Sequence, residues 1–457
     1  MFSSLITSPV LEKSFQDILT GNDKSVATVM PGPQTTSIQS LYAGDGKLDM
    51  SSLWLDIAGL SNNQPGPIRS RASSSFASPR RCSEIWSIHD AEMLAFGGGL
   101  WHGPPHMNRP PELGSLRAEL RDAGLFEHRE LRGWLKLLFL LSGVAACILA
   151  MAYFGPWAAI PAIPIAAVFC TSVAMMGHEG SHRSFSSSPF RNAVLVYLTF
   201  PLFGGLGSLY WHNKHDRLHH GHPNVEGLDP DIKPFPFVSS RGDHEKCGKG
   251  ERWFQRNFQR WAFWPMSTLM ALGMRRSSIL YLLRYPKKHG FERAWFIEVA
   301  CMTTHYTCWL VIPSLVWGPL IGFFVYSMIW AGVGVFLALV FAPAHIGLPI
   351  VDEQHRDWLH QVETTRNLEL PRVISFFFIG LDYQVEHHLF PKITHQNLPR
   401  AAEITADWCR RHGIAYQTGP YLHALVDSAK FMANAWSREA QDPIEVRAGL
   451  VGHSRAA

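Results

Sequence analysis

Residues 157–182 read WAAIPAIPIAAVFCTSVAMMGHEGSH, an apolar run that stops at His178 and His182. About 20 apolar residues suffice for a helix to cross the hydrocarbon core of a bilayer. On a helix, positions i and i+4 share one face, so the two imidazoles point the same way. The pattern recurs twice, in His215-Asp-Arg-Leu-His219-His220 and in Gln384-Val-Glu-His387-His388, each beyond a long apolar stretch. There His215 stacks over His219, and Gln384 sits beside His387 and His388. Among 23 histidines some pairs at helical spacing arise by chance, but three clusters beside membrane-length segments do not. Neutral imidazole suits iron, zinc, copper and nickel. Seven histidines exceed the four ligands of a tetrahedral zinc and are about right for two metal ions. A dinuclear site is expected.

Working outward, residues 133–155 form an apolar run broken only by Lys136, and 157–176 follow directly. Residues 296–317 (with Glu298 and His305) and 318–341 make a second such pair. Each run is long enough to cross a bilayer, so two transmembrane hairpins are expected. A fifth stretch, 192–211, is apolar but carries Pro201, Gly204, Gly205 and Gly207. Were it to cross, the second cluster would face away from the first and one site could not be assembled. It is therefore read as re-entrant or interfacial, as is 261–283, which Arg275 and Arg276 interrupt.

Charge sets the orientation. Residues 241–293 hold Lys246, Lys249, Arg252, Arg256, Arg260, Arg284, Lys287 and Lys288, and Arg117, Arg121, Arg129 and Arg132 precede the first span. The hairpin turns near Pro156 and Pro319 carry no Lys or Arg. Positive flanks belong in the cytoplasm, which puts all three clusters there in a multi-pass integral membrane protein. The net charge of +4 fits basic residues at a lipid surface and gives no sign of nucleic-acid binding. Seven scattered cysteines without a CxxC imply neither a disulfide framework nor a thiolate zinc site.

Residues 1–111 are rich in Ser, Gly and Pro and are expected to be mostly disordered. They carry no secretory signal, and the Arg/Ser-rich patch at 69–81 reads as a solvated linker. Residues 112–130 read as an amphipathic helix leading into the first span, and 426–457 as a polar, peripheral tail.

Two metals held mostly by neutral imidazoles at a membrane surface suit oxygen activation by iron, because zinc has no redox chemistry. Nearby acids would fix the orientation and tautomer of each ring. Glu179, Asp216 and Glu386 fall inside the clusters and are the candidates.

From 112 to 425 the chain resembles the integral-membrane fatty acyl desaturases, whose histidine boxes follow HxxxH, HxxHH or HxxxHH, and HxxHH or QxxHH. Lys214-His-Asp-Arg-Leu-His-His-Gly-His-Pro-Asn-Val-Glu-Gly-Leu-Asp-Pro-Asp-Ile232 is similar to the second box and its acidic follow-on. His360-Gln-Val-Glu-Thr-Thr-Arg-Asn367 is similar to a segment ahead of the third box. Gly380-Leu-Asp-Tyr-Gln-Val-Glu-His-His-Leu-Phe-Pro391 resembles the third box of front-end and linoleoyl-CoA-type desaturases, in which Gln replaces the first histidine.

The resemblance implies an all-α membrane protein, with four transmembrane helices under a cytosolic helical cap that holds a di-iron site. It also implies a ligand at the cytosolic end of the fourth span, the place of His345. The expected metal ligands are therefore His178, His182, His215, His219, His220, His345, Gln384, His387 and His388. Some members place an Asn one helical turn before the histidine at 345, whereas this chain has Phe341. His212, His222 and His395 flank the boxes without matching ligand positions. The implied reaction is oxygen-dependent desaturation of a fatty acyl chain in CoA or lipid form, with O2 as co-substrate. Trp211, Trp358 and Tyr383 are read as interfacial anchors beside the membrane lipid. The His-Pro-Gly-Gly mark of a fused cytochrome b5 domain is absent, so electrons are expected from a separate cytochrome b5 or ferredoxin system. The rival readings are a hydroxylase or ketolase on the same scaffold, and a zinc-dependent membrane hydrolase.

Overall fold

The computed structural model describes residues 112–351 and 358–441. The expected disordered head and its Arg/Ser-rich patch lie outside these residues, as does the end of the chain beyond Gln441.

Among the described residues four helices are long and apolar enough to cross a membrane: Glu130–Phe154, Ala159–Ser181, Arg293–Trp317 and Pro319–His345. They are the two expected hairpins, and both turn by the same device. Gly155 (φ 79°) precedes Pro156, and Gly318 (φ 88°) precedes Pro319. Glycine takes the left-handed conformation that ends one helix; proline then starts the next, where its missing N–H costs nothing. The spans differ in what they face. In their most apolar windows the second and fourth are 56% and 50% buried, against 28% and 11% for the first and third. The second and fourth thus form the centre of the bundle. Leu138, Phe139 and Tyr153 of the first span and Val311 and Leu315 of the third point outward, as side chains facing lipid tails do.

Packing inside the bundle relies on small residues, as is usual where lipid supplies no hydrophobic drive. Ala159, Ala162 and Ala166 meet Val325, Ile329, Trp330 and Val333 in one core cluster. A Cβ on Gly143 would lie 2.3 Å from the Phe169 ring, so the first hairpin closes only because that position has no side chain.

Between the hairpins the chain forms a helical pair, Pro189–Gly204 and Ser208–His219, bent by 107° at the break. His182 precedes the pair and His215 lies within its second half, yet their rings are 5.6 Å apart. The chain therefore returns to the end it left, as the re-entrant reading requires. The long helix Met270–His289 then leads back to the third span.

The cap closes over the histidine-bearing ends. Helices Leu113–Asp122, Gln384–Leu389 and Leu398–Arg411 share a core of Leu116, Leu120, Leu389, Phe390 and Trp408. Strand β1 (Asn367–Glu369) pairs in parallel with β2 (Thr418–Pro420), Asn367 facing Thr418. Helix Leu113–Asp122 is shorter than expected, because a turn at Ala123–Phe126 separates it from the first span. The peripheral tail expected from 426 needs a larger correction. Residue 426 falls inside helix Tyr421–Asn434, whose Phe431 and Met432 are buried beside Ile350 and Ala342. That helix packs on the end of the fourth span, where the Tyr421 hydroxyl donates to the Leu339 carbonyl at 2.9 Å.

Candidate metal centre

The first box needs only a helix. His178 lies in the last turn of the second span and His182 is its C-cap, with ring centroids 4.6 Å apart. The second box needs more. From His212 to His219 the helix widens to a π-turn, and the His220 amide donates to the His215 carbonyl at 3.0 Å. Closing i→i+5 brings residues four and five apart onto one side, so His215, His219 and His220 all face the site. The third box sits on helix Gln384–Leu389, where Asn367 Oδ1 accepts from the Val385 amide at 2.9 Å.

These elements bring the box residues together as two groups. Ligand atoms of His178, His182, His215, His220 and His387 all lie within 4.8 Å of one another, those of His219, His345 and His388 do likewise, and His215 and His219 meet Asp231 in a third set that links the two. Gln384 is buried with its side chain next to His345, its amide nitrogen donating to the Leu381 carbonyl at 2.9 Å. Stacking of His220 on His388, at 4.3 Å between centroids, joins the two groups.

The donor set fits metal ions. His178 Nε2 and His215 Nε2 face each other at 2.8 Å, and His387 Nε2 and His220 Nε2 at 3.1 Å. Nitrogens so placed share a proton or ligate a common ion. Nε2 of His388 is buried without a hydrogen bond, a costly state unless an ion takes it up. Burial, reinforced by the crowding of neighbouring rings, holds His215, His220, His387 and His388 well below the ordinary histidine pKa. They are neutral at pH 7 and present lone pairs. His219 differs. Burial pushes it down, but the Asp229 and Asp231 carboxylates together raise it above the ordinary value.

Sequence reasoning missed the groups that hold these rings. Asp229 accepts from His219 Nδ1 at 3.1 Å and is itself fixed by the amides of Asn224 and Asp231, each at 2.8 Å. Gln361 Oε1 accepts from His388 Nδ1 at 3.1 Å, while its Nε2 donates to the His220 carbonyl at 3.0 Å. Both lie in stretches flanking the boxes, but nothing in the spacing couples them to a particular ring. Of the three expected acids, only Asp216 approaches a box ring, at 3.6 Å from His182 Nε2. It pairs more closely with His212 Nδ1, at 2.5 Å. Glu179 binds His395 instead, through its Nδ1 at 2.8 Å and its amide at 2.9 Å. Glu386 accepts from Asn367 Nδ2 and the Tyr416 hydroxyl, each at 2.7 Å, and burial raises its carboxyl to about 7. The three aromatics read as anchors differ in burial. Trp211 is buried and stacks on His215 at 4.3 Å, while Trp358 and Tyr383 pack into the cap core.

Comparison with known proteins decides the family. The profile described as "Fatty acid desaturase" matches residues 154–420, more than half of the chain and all of the boxes. The chain belongs to the fatty acid desaturase family. It is similar to fatty acid desaturase 3 of Bos taurus, 26% identical over 73% of this chain and 75% of that protein. It is also similar to the sn-1 linoleoyl-lipid 6-desaturase of Synechocystis, 26% identical over 55% of this chain and 73% of that protein. The corresponding protein of Arthrospira platensis is 28% identical over 53% of this chain and 67% of its own length. The desaturase is thus an enzyme acting on fatty acyl chains, in a family that uses iron. Its histidine groups lie at one end of its membrane-length helices.

Proposed function

We propose that the desaturase holds two iron ions and uses O2 and two electrons to convert adjacent methylenes of an acyl chain into a double bond. The carrying observation is the division of the box histidines into two touching groups, His178, His182, His215, His220 and His387 on one side and His219, His345 and His388 on the other. Gln384, beside His345, belongs with the smaller group. When bound, the iron pair supplies the redox chemistry with O2 that amino-acid side chains lack. The protein's part is to hold and to exclude. Asp229 accepts a hydrogen bond from His219 Nδ1 and Gln361 Oε1 accepts one from His388 Nδ1, which turns each Nε2 toward the site. Burial of every box ring keeps bulk water away from the reaction. Carbon selection then rests on where the chain is held rather than on acid–base catalysis.

The basic flanks of the first and third spans support a cytoplasmic site in a multi-pass protein. Electrons come from a separate cytochrome b5 or ferredoxin system. The names of the cyanobacterial relatives make a linoleoyl chain the first substrate to offer.

The test is a fatty-acid profile of a host expressing the protein and supplied with linoleate, with double bonds localised, beside the His388→Ala variant. A new double bond that the variant lacks supports the reading. An oxygenated product would replace desaturation with hydroxylation, and zinc without iron in active protein would overturn it.

A further inference from the structure

Two buried charges outside the histidine groups grip the bend that precedes the second box. Glu298 of the third span is wholly buried, and Arg275 of helix Met270–His289 is 4% exposed. Ionisable groups at membrane depth are expensive, and those retained face the bundle interior and serve a purpose. Arg275 directs Nε and Nη2 to the Gly204 carbonyl, Nε at 2.8 Å, and its guanidinium carbon lies 3.4 Å from the centre of a Trp330 ring. Gly204 is the last residue before the break. On the far side, Glu298 Oε1 accepts from the Leu209 amide at 2.7 Å and from the Ser208 hydroxyl. Ser208 and Leu209 open the helix that carries His215 and His219. A guanidinium thus sits at the carbonyl end of one half and an accepting carboxyl oxygen at the amide end of the other, each taking up the backbone groups that a helix end leaves unpaired.

The bend itself leaves no slack. Gly205 adopts φ +62°, and a Cβ there would lie 2.5 Å from the His305 ring. A Cβ on Gly207 would lie 2.7 Å from Glu298 Oε2 and Ser278 Oγ, and the Gly207 amide already donates to Ser278 Oγ at 2.7 Å. Irregular backbone at membrane depth is tolerated only where protein buries it. Here the helices around the third span do so.

We propose that Glu298 is a positioning residue for the second histidine box, with Arg275 as its counterpart across the break. By fixing the first turn at Ser208 and Leu209, Glu298 sets the rotation and height at which His215, His219 and His220 meet the other two boxes. Its bonds go to the bend and not to a box ring, so its action on the metals is indirect. The inference rests on those histidines being metal ligands.

The test compares Glu298→Gln, Glu298→Met and Ser208→Ala in membranes by hydrogen exchange, iron per protein and product. Glu298→Met removes a charge from a membrane helix without emptying the site, so insertion holds. Amide exchange over residues 206–220 then rises, on the order of tenfold, with the loss of the hydrogen bonds to the Glu298 carboxyl oxygen. Exchange over 159–181 stays unchanged, while iron and product fall. Glu298→Gln keeps an oxygen for both donors and restores all three readouts. Wild-type exchange and iron in Glu298→Met would overturn the proposal. Should that variant fail to accumulate, Ser208→Ala decides, since it deletes one donor and no charge. A smaller local rise in exchange supports the role, and no rise overturns it. Absence of iron from the wild type would sink the di-iron reading and leave the exchange contrast standing.

Discussion

The first and second histidine boxes do one job from two kinds of support. His178 and His182 stand at the end of a continuous α-helical span, 23 residues long, whose i, i+4 spacing puts both rings on one face. The rings of His215, His219 and His220 stand on a π-widened helix just after a 107° bend, and Asp229, Gln361 and Glu298 gather around that segment. A regular helix needs little help to place a ligand; an irregular one is held from outside. Substitutions near the second box should therefore cost more than equivalent ones near the first.

The largest effect does not depend on that difference. His219→Ala or His388→Ala removes a nitrogen from the smaller group, which has three histidines. Because losing a mere supporting partner costs roughly 10–100-fold, losing the ligand itself should remove detectable product while leaving membrane insertion intact. Substantial product from either variant in the fatty-acid profile would break the two-group assignment. Next comes Asp229→Asn. It keeps the size of the side chain but offers His219 Nδ1 no carboxylate, and a loss of roughly 10–100-fold in iron affinity or activity is expected. Iron titration of the purified variant measures it. Gly205→Ala should follow, through folding rather than chemistry. Its φ of +62° disfavours any side chain, and the added carbon meets His305. Strain of this kind costs about 1–3 kcal/mol, readable as a lower unfolding temperature in detergent.

The architecture could be read from the sequence because it follows from hydropathy and spacing, which are local. The four spans, the hairpin turns and the converging boxes all fall where the apolar runs and i, i+4 pairs put them. His345 was legible only through resemblance, since a lone histidine ending a span says nothing of partners; its ring lies 4.8 Å from His219 and 5.0 Å from His388. The acids inside the boxes misled for a geometric reason. Neighbours on a helix are rotated by about 100°, so Glu179 beside His178 and Glu386 beside His387 face away from the rings they adjoin. Their carboxylates reach across to His395 and to Asn367 and Tyr416. Asp229 and Gln361 were missed for the complementary reason, because they act on rings ten and 27 residues away through the folded chain.

The smallest predicted effect tests the comparison most sharply. Ser181 lies within the first box, where its hydroxyl donates to the His178 carbonyl at 2.8 Å and to Asp216 Oδ1 at 3.3 Å. By proximity to two ligands it has as strong a claim to matter as Asp229. If the continuous α-helix already aims His178 and His182, that hydroxyl adds only an ordinary hydrogen bond, worth about 0.5–1.5 kcal/mol. Ser181→Ala should then lower iron affinity by no more than roughly tenfold and leave product formation near the wild-type level. A loss equal to that of Asp229→Asn would mean that the first box also leans on its surroundings, through Asp216 and the second box. The two supports would then be one network, and the contrast between a continuous α-helix and a broken, π-widened one would no longer explain where the stabilising residues gather.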